Sequence, residues 1–161
     1  MNSDKLRVAF NDPEHGWVGL TISRGETTTI LIAEYVPSDS FLELTSALHN
    51  LLQWECEATA RWQYNPTTYD MRFRRSGGYV SLEIFEYPDH RRIEGRGKRI
   101  FSARGTYASI CTPFWRALRD LQGRFSPEEL DARWHRPFPS REIELLTLAI
   151  RGRKDDIPSR A

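Results

Sequence analysis

Alternation of apolar and polar residues governs the chain as far as about Arg104. In residues 17–23, Val18, Leu20 and Ile22 fall on one face, and a period of two predicts a strand. The strand at 27–36 is apolar on both sides, with Leu31, Ala33 and Tyr35 opposite Ile30 and Ile32. Such a strand is expected at the centre of a sheet. A shorter strand precedes these at 6–10, before the turn cluster Asn11-Asp12-Pro13-Glu14-His15-Gly16. After residue 57 the alternation returns. Residues 58–64 place Ala58, Ala60, Trp62 and Tyr64 on one face, with Thr59, Arg61 and Gln63 opposite. In 69–75, Tyr69, Met71 and Phe73 oppose Asp70, Arg72 and Arg74, and in 79–87 the apolar face is Val80, Leu82 and Ile84. Ser76-Gly77-Gly78 is a hairpin signal, and the short connections require antiparallel neighbours. Residues 98–104 form a last strand.

The period changes to helical at two main places. Ser40 and Glu43 have capping-box spacing, and Phe41, Leu44, Leu48, Leu51 and Leu52 then form one stripe through Gln53. A second stripe runs through Tyr107, Ile110, Cys111, Phe114, Leu118 and Leu121, predicting a helix over 107–122. Pro113 lies inside it, so either the helix kinks there or a fresh helix starts at Thr112. Ser126-Pro127-Glu128-Glu129 is another capping box opening a short helical turn, and 141–151 is a last helix ended by Gly152. The fold class is α+β: one domain over 1–152 with a frayed tail at 153–161. Its mainly antiparallel sheet has roughly five to seven strands, with two main helices on one face and a short C-terminal helical segment. Runs of strands dominate over strand–helix alternation, which excludes a doubly wound parallel sheet.

Composition narrows the class. The 161 residues suit one domain, and 12% aromatics argue for a packed core rather than disorder. Residues 1–7 lack the apolar segment of a secretory signal. The longest apolar run, 30–33, is far short of the roughly 20 residues of a spanning helix. A soluble, cytoplasmic protein that engages no membrane is expected.

Charge adds a second layer. The net charge is only +1, yet residues 1–60 carry three basic and nine acidic side chains, and residues 61–161 carry twenty and thirteen. A chain divided in this way is electrically two-sided along its length, which bears on partners rather than fold.

Candidate chemistry is sparse. His15, His49, His90 and His135 have no metal-ligand spacing, so no metal and no cofactor is expected. Cys56 and Cys111 read as reduced, buried thiols. Gly95-Arg96-Gly97 lacks the strand and helix start of a phosphate loop. Glu55 with Glu57, or Glu83 with Glu86, has nothing to mark it as a catalytic pair. No catalytic residue is assigned.

The basic cluster is the best candidate site. Arg91, Arg92, Arg96, Lys98, Arg99 and Arg104 are opposed only by Glu94, and Arg72 and Arg74 occupy the polar face of a preceding strand. The partner-binding set is Arg72, Arg74, Arg91, Arg92, Arg96 and Arg99. One alternative is a charged hairpin protecting a sheet edge. Another is nucleic-acid phosphate, disfavoured by a pI of 7.8 where such domains exceed about 9. Trp54, Phe85, Tyr87 and Trp134 are the aromatics expected at the surface, unless helices cover them.

Three pieces carry a resemblance: His15-Gly16-Trp17 opening a strand, Pro37-Ser38-Asp39-Ser40 opening a leucine-rich helix, and Trp62, Pro66, Tyr69 and Phe73 in that order. Over residues 15–122 the chain resembles the small α+β immunity proteins encoded beside bacterial polymorphic or contact-dependent toxins. The resemblance implies a cytoplasmic, non-enzymatic protein that binds and neutralises one cognate toxin domain. It transfers no binding residues. The alternatives are a nucleic-acid-binding module using the arginines of 72–104, and an enzyme acting on a phosphorylated small molecule through the same side chains.

Overall fold

Each strand expected from the period-two pattern forms, but the strands divide between two antiparallel sheets. The computed structural model describes residues 5–53 and 55–156, with side chains as far as Arg153. Trp54 and residues 157–161 lie outside the described residues. β1 (Arg7–Phe10), β2 (Trp17–Arg24) and β3 (Thr27–Glu34) make a three-stranded sheet in that order. β4 (Glu57–Tyr64), β5 (Thr67–Ser76), β6 (Tyr79–Tyr87) and β7 (Lys98–Gly105) make a four-stranded one. The expectation of one sheet of five to seven strands is corrected. The chain leaves the first meander through α1 (Ser40–Gln53), and β4 opens a new ladder instead of pairing with β3.

The two sheets still meet. Trp17 of β2 packs edge-on against Tyr64 of β4 at 4.8 Å, and the Thr29 hydroxyl of β3 donates to the Ile100 carbonyl of β7 at 3.4 Å. The small sheet therefore reaches both outer strands of the large one. β3 is an edge strand, not a central one, and Ile30 on its outer side is 59% exposed.

Inner faces of both sheets and one side of α1 share a single core. Phe41 of α1 touches Phe10, Trp62, Trp134 and Phe138, with ring centroids between 4.8 and 6.1 Å apart. Trp134 was expected in a loop near the surface. It ends α4 (Pro127–Trp134) and is fully buried. Its indole N–H donates to Asp39 Oδ1 at 3.1 Å. Asp39 also accepts the Leu42 amide through its side chain, so Asp39 rather than Ser40 caps α1. The Ser40 hydroxyl is buried without a partner, and Glu43 reaches instead to the Arg61 amide of β4.

The helix expected at 107–122 is two helices, α2 (Tyr107–Ile110) and α3 (Thr112–Arg124), hinged at Cys111. Pro113 takes the first turn of α3, where a missing N–H costs nothing. The Ser126 capping box forms as its spacing requires. α5 (Ser140–Asp156) is not a short segment. At 17 residues it is the longest helix, running past Gly152 and packing on α1 and α3. No helix among the described residues is long and apolar enough to cross a membrane.

The cysteines behave differently from one another. Both are free, but Cys56 is exposed, which corrects the expectation of two buried thiols; only Cys111 is buried. Burial pushes the Cys111 thiol well up from its ordinary range, and the thiolate is the reactive form. Ellman's reagent is therefore expected to titrate one thiol in the native protein and a second only in denaturant. Fast reaction should vanish in Cys56→Ser. Two fast thiols in the native state would contradict the burial of Cys111.

Candidate protein-binding face

The polar residues of β4–β7 build the site, because their apolar neighbours are committed to the core. With Phe73 and Met71 buried inward, Arg74, Arg72 and Asp70 of β5 must point outward. Across the ladder Arg74 opposes Glu57, Arg72 lies between Thr59 and Glu83, and Asp70 lies between Arg61 and Phe85. A bulge at Ile84 and Phe85 then brings Phe85 opposite Arg99 of β7. Arg72, Arg74 and Arg99 thus share one sheet face.

Carboxylates brace these arginines in place. Arg74 pairs with Glu57 at 3.2 Å and Arg99 with Glu83 at 2.9 Å, both on the solvent side. Arg72 donates to the Tyr87 hydroxyl at 2.6 Å, approaches Asp70 at 3.6 Å, and lies 4.3 Å over the Phe85 ring. Tyr87 is buried because the loop at 88–97 covers it. A Cβ at Gly97 would fall 2.6 Å from its ring, so only glycine fits there.

The same loop sorts the remaining candidates. Arg92 turns back under it in a left-handed conformation, φ 48°, and donates through Nε to Asp70 Oδ1 at 2.6 Å. The two side chains are only 15% and 8% exposed. Arg92 was expected as a surface residue; it is a part-buried tie between loop and sheet, and its Nη2 has no hydrogen-bond partner. Arg91 is exposed and grips Asp89 at 2.8 Å. Hydrogen bonds from the Arg91 side chain, then from its backbone, hold the Asp89 carboxyl down to about 2. Arg96 is exposed in the loop, with its amide bonded to the Ile93 carbonyl.

Two further arginines belong to this face. Arg61 of β4 and Arg104 of β7 are both exposed, the latter 5.0 Å over the Tyr79 ring. Arg61 stands outside the basic run, and its only signal was its place among Thr59 and Gln63 on the polar side of β4.

The division of charge along the sequence does not survive folding as a division in space. Asp12 pairs with Arg124, Glu14 with Arg133, Asp39 with Arg136 and Glu57 with Arg74. Each joins an acid of residues 1–60 to a base of residues 61–161. The segments behind the family resemblance are also packed into these contacts. Gly16, at φ 79°, donates to the Arg133 carbonyl, and a Cβ there would strike Tyr35. Among the described residues no cluster of three His, Cys, Asp or Glu could hold a metal. Comparison with protein-family models, curated proteins and solved structures finds no match.

Proposed function

We propose that the chain is a non-enzymatic binding protein of the immunity type, which presents the outward face of β4–β7 to an acidic surface of a cognate toxin domain. The observation that carries this reading is Arg72 stacked on Phe85 amid Arg61, Arg74, Arg99 and Arg104, all on one rigid sheet. Arginine beside an aromatic ring is the composition of interface hot spots. Carboxylate bracing lowers the ordering cost that long side chains otherwise incur on binding. Arg92 and Arg91 hold the loop, so the contacting set is the sheet face together with Arg96.

The test is co-expression with the product of the adjacent reading frame, followed by titration calorimetry of the purified pair. Arg74, Arg96 and Arg99 are exposed, so Arg74→Glu, Arg96→Glu and Arg99→Glu together should leave the fold intact, each changing stability by about 0.5 kcal/mol or less. Affinity should fall at least about a hundredfold, with slower association, since like charges at an interface cost several kcal/mol. Unchanged affinity would move the interface elsewhere. Binding of DNA or RNA whose log K falls linearly with log salt would replace this reading by a nucleic-acid one.

A further inference from the structure

At the end of the large sheet remote from the 88–97 loop lies a cleft of about 770 Å³, formed by the β5–β6 turn, α2, the start of α3 and the last turns of α5. That size is typical of small-molecule sites. Leu52, Val80, Ile150 and the Trp115 ring make its floor apolar. The floor is preformed. Trp115 donates its indole N–H to Thr147 Oγ1 at 2.8 Å, and the Tyr107 hydroxyl donates to the Leu48 carbonyl at 2.7 Å.

Four arginines, Arg75, Arg116, Arg151 and Arg153, line the same cleft, and among the described residues no carboxylate does. Among the described residues none of the four forms a salt bridge. This is the opposite of the outward face, where carboxylates answer most arginines. Burial, and then the neighbouring Cys111, push the Tyr107 hydroxyl upward against the pull of Arg153 and Arg75. It stays neutral, so it adds no negative charge of its own. A concave apolar floor under several unanswered guanidinium groups selects a ligand with an apolar body and an anionic head.

We propose that this cleft binds a small anionic amphiphile, with its carboxylate or phosphate held among Arg75, Arg116, Arg151 and Arg153 and its acyl or aromatic body against Trp115 and Ile150. The site is separate from the sheet face and needs no protein partner, so its test is independent of the proposed function.

Titration calorimetry on the full chain, with dodecanoate, dodecyl phosphate and dodecyltrimethylammonium each below its micelle concentration, tests it. Saturable one-to-one binding of one or both anions is expected, with none of the cation that has the same tail. The stronger anion distinguishes carboxylate from phosphate. Arg116→Gln with Arg151→Gln should raise its Kd at least about tenfold, with an unchanged circular dichroism spectrum. Equal binding of the cation, no saturable binding of either anion, or an unaltered Kd in the folded double variant would overturn the proposal. So would adsorption to phosphatidylglycerol vesicles without binding of the monomeric anions. Should the double variant fail to fold, the contrast between anion and cation on the wild-type chain still decides.

Discussion

Asp70→Ala is expected to lower the unfolding free energy by about 3 kcal/mol, the largest effect of any single polar substitution on the sheet. Asp70 lies on the outward side of β5, yet it is buried, because the 88–97 loop folds over it and delivers Arg92. Removing the carboxylate strands a largely buried guanidinium that already has one unpartnered nitrogen. An uncompensated buried charge costs far more than the intact pair contributes. The loop should also loosen, since its other ties are the Thr68 hydroxyl bond to the Asp89 carbonyl and the packing of Gly97 on Tyr87. The pairing logic predicts a partial rescue. Asp70→Ala combined with Arg92→Leu should be more stable than Asp70→Ala alone, because no buried charge is then left without a partner; Arg72, which also loses Asp70, is half exposed. Urea unfolding midpoints, with unchanged slopes, give these differences. A loss below about 1 kcal/mol in the single variant would show that Arg92 reaches water freely.

This pair also explains what could and could not be read from the sequence. Arg91 and Arg92 are neighbours in one basic run, and nothing local separates them. Their fates diverge because Arg92 meets a carboxylate 22 positions earlier, a partner set by the path of the loop rather than by spacing. Alternation did foretell that Arg72 and Arg74 point away from Phe73, since the pleat allows nothing else. The bulge at Phe85, which aligns that ring with Arg99, left no comparable trace. The division into two sheets was hidden for a similar reason. Strand periodicity specifies which face of β3 is buried but not which strand lies beside it, so an apolar strand on an edge reads like a central one. The arginine-lined cleft was further out of reach, because Arg75, Arg116 and the pair Arg151 and Arg153 come from three separate stretches of chain. Caps were legible where both partners are local, as at Ser126 and Glu129. At Asp39 the cap is shared with a tryptophan 95 positions away, and the local Ser40 signal misled.

Trp134→Ala is expected to be the most damaging substitution in the core, costing about 3–5 kcal/mol. The ring is fully buried against Phe41 at 4.8 Å, in the cluster that joins α1 to α4. Its loss opens a large cavity under the residue that caps α1. Trp134→Phe separates the two contributions, since it keeps most of the apolar volume while removing the indole N–H bond to Asp39. Burial raises the Asp39 carboxyl above its ordinary value, opposed by the Leu42 amide and then the Trp134 indole. A carboxyl whose folded-state value lies above its unfolded one holds its proton more tightly when folded, so stability falls as pH rises through that window. Losing the indole donor widens the window. Trp134→Phe should therefore lose more stability near neutral pH than in acid below the ordinary carboxylate range, where Asp39 is protonated in both states. Trp134→Ala loses the same donor, so it should show the same pH-dependent part on top of a volume loss that does not vary with pH. Thermal or urea unfolding of both variants at the two pH values checks this, and an equal loss for Trp134→Phe at both would show that the Asp39 bond contributes nothing to the cap.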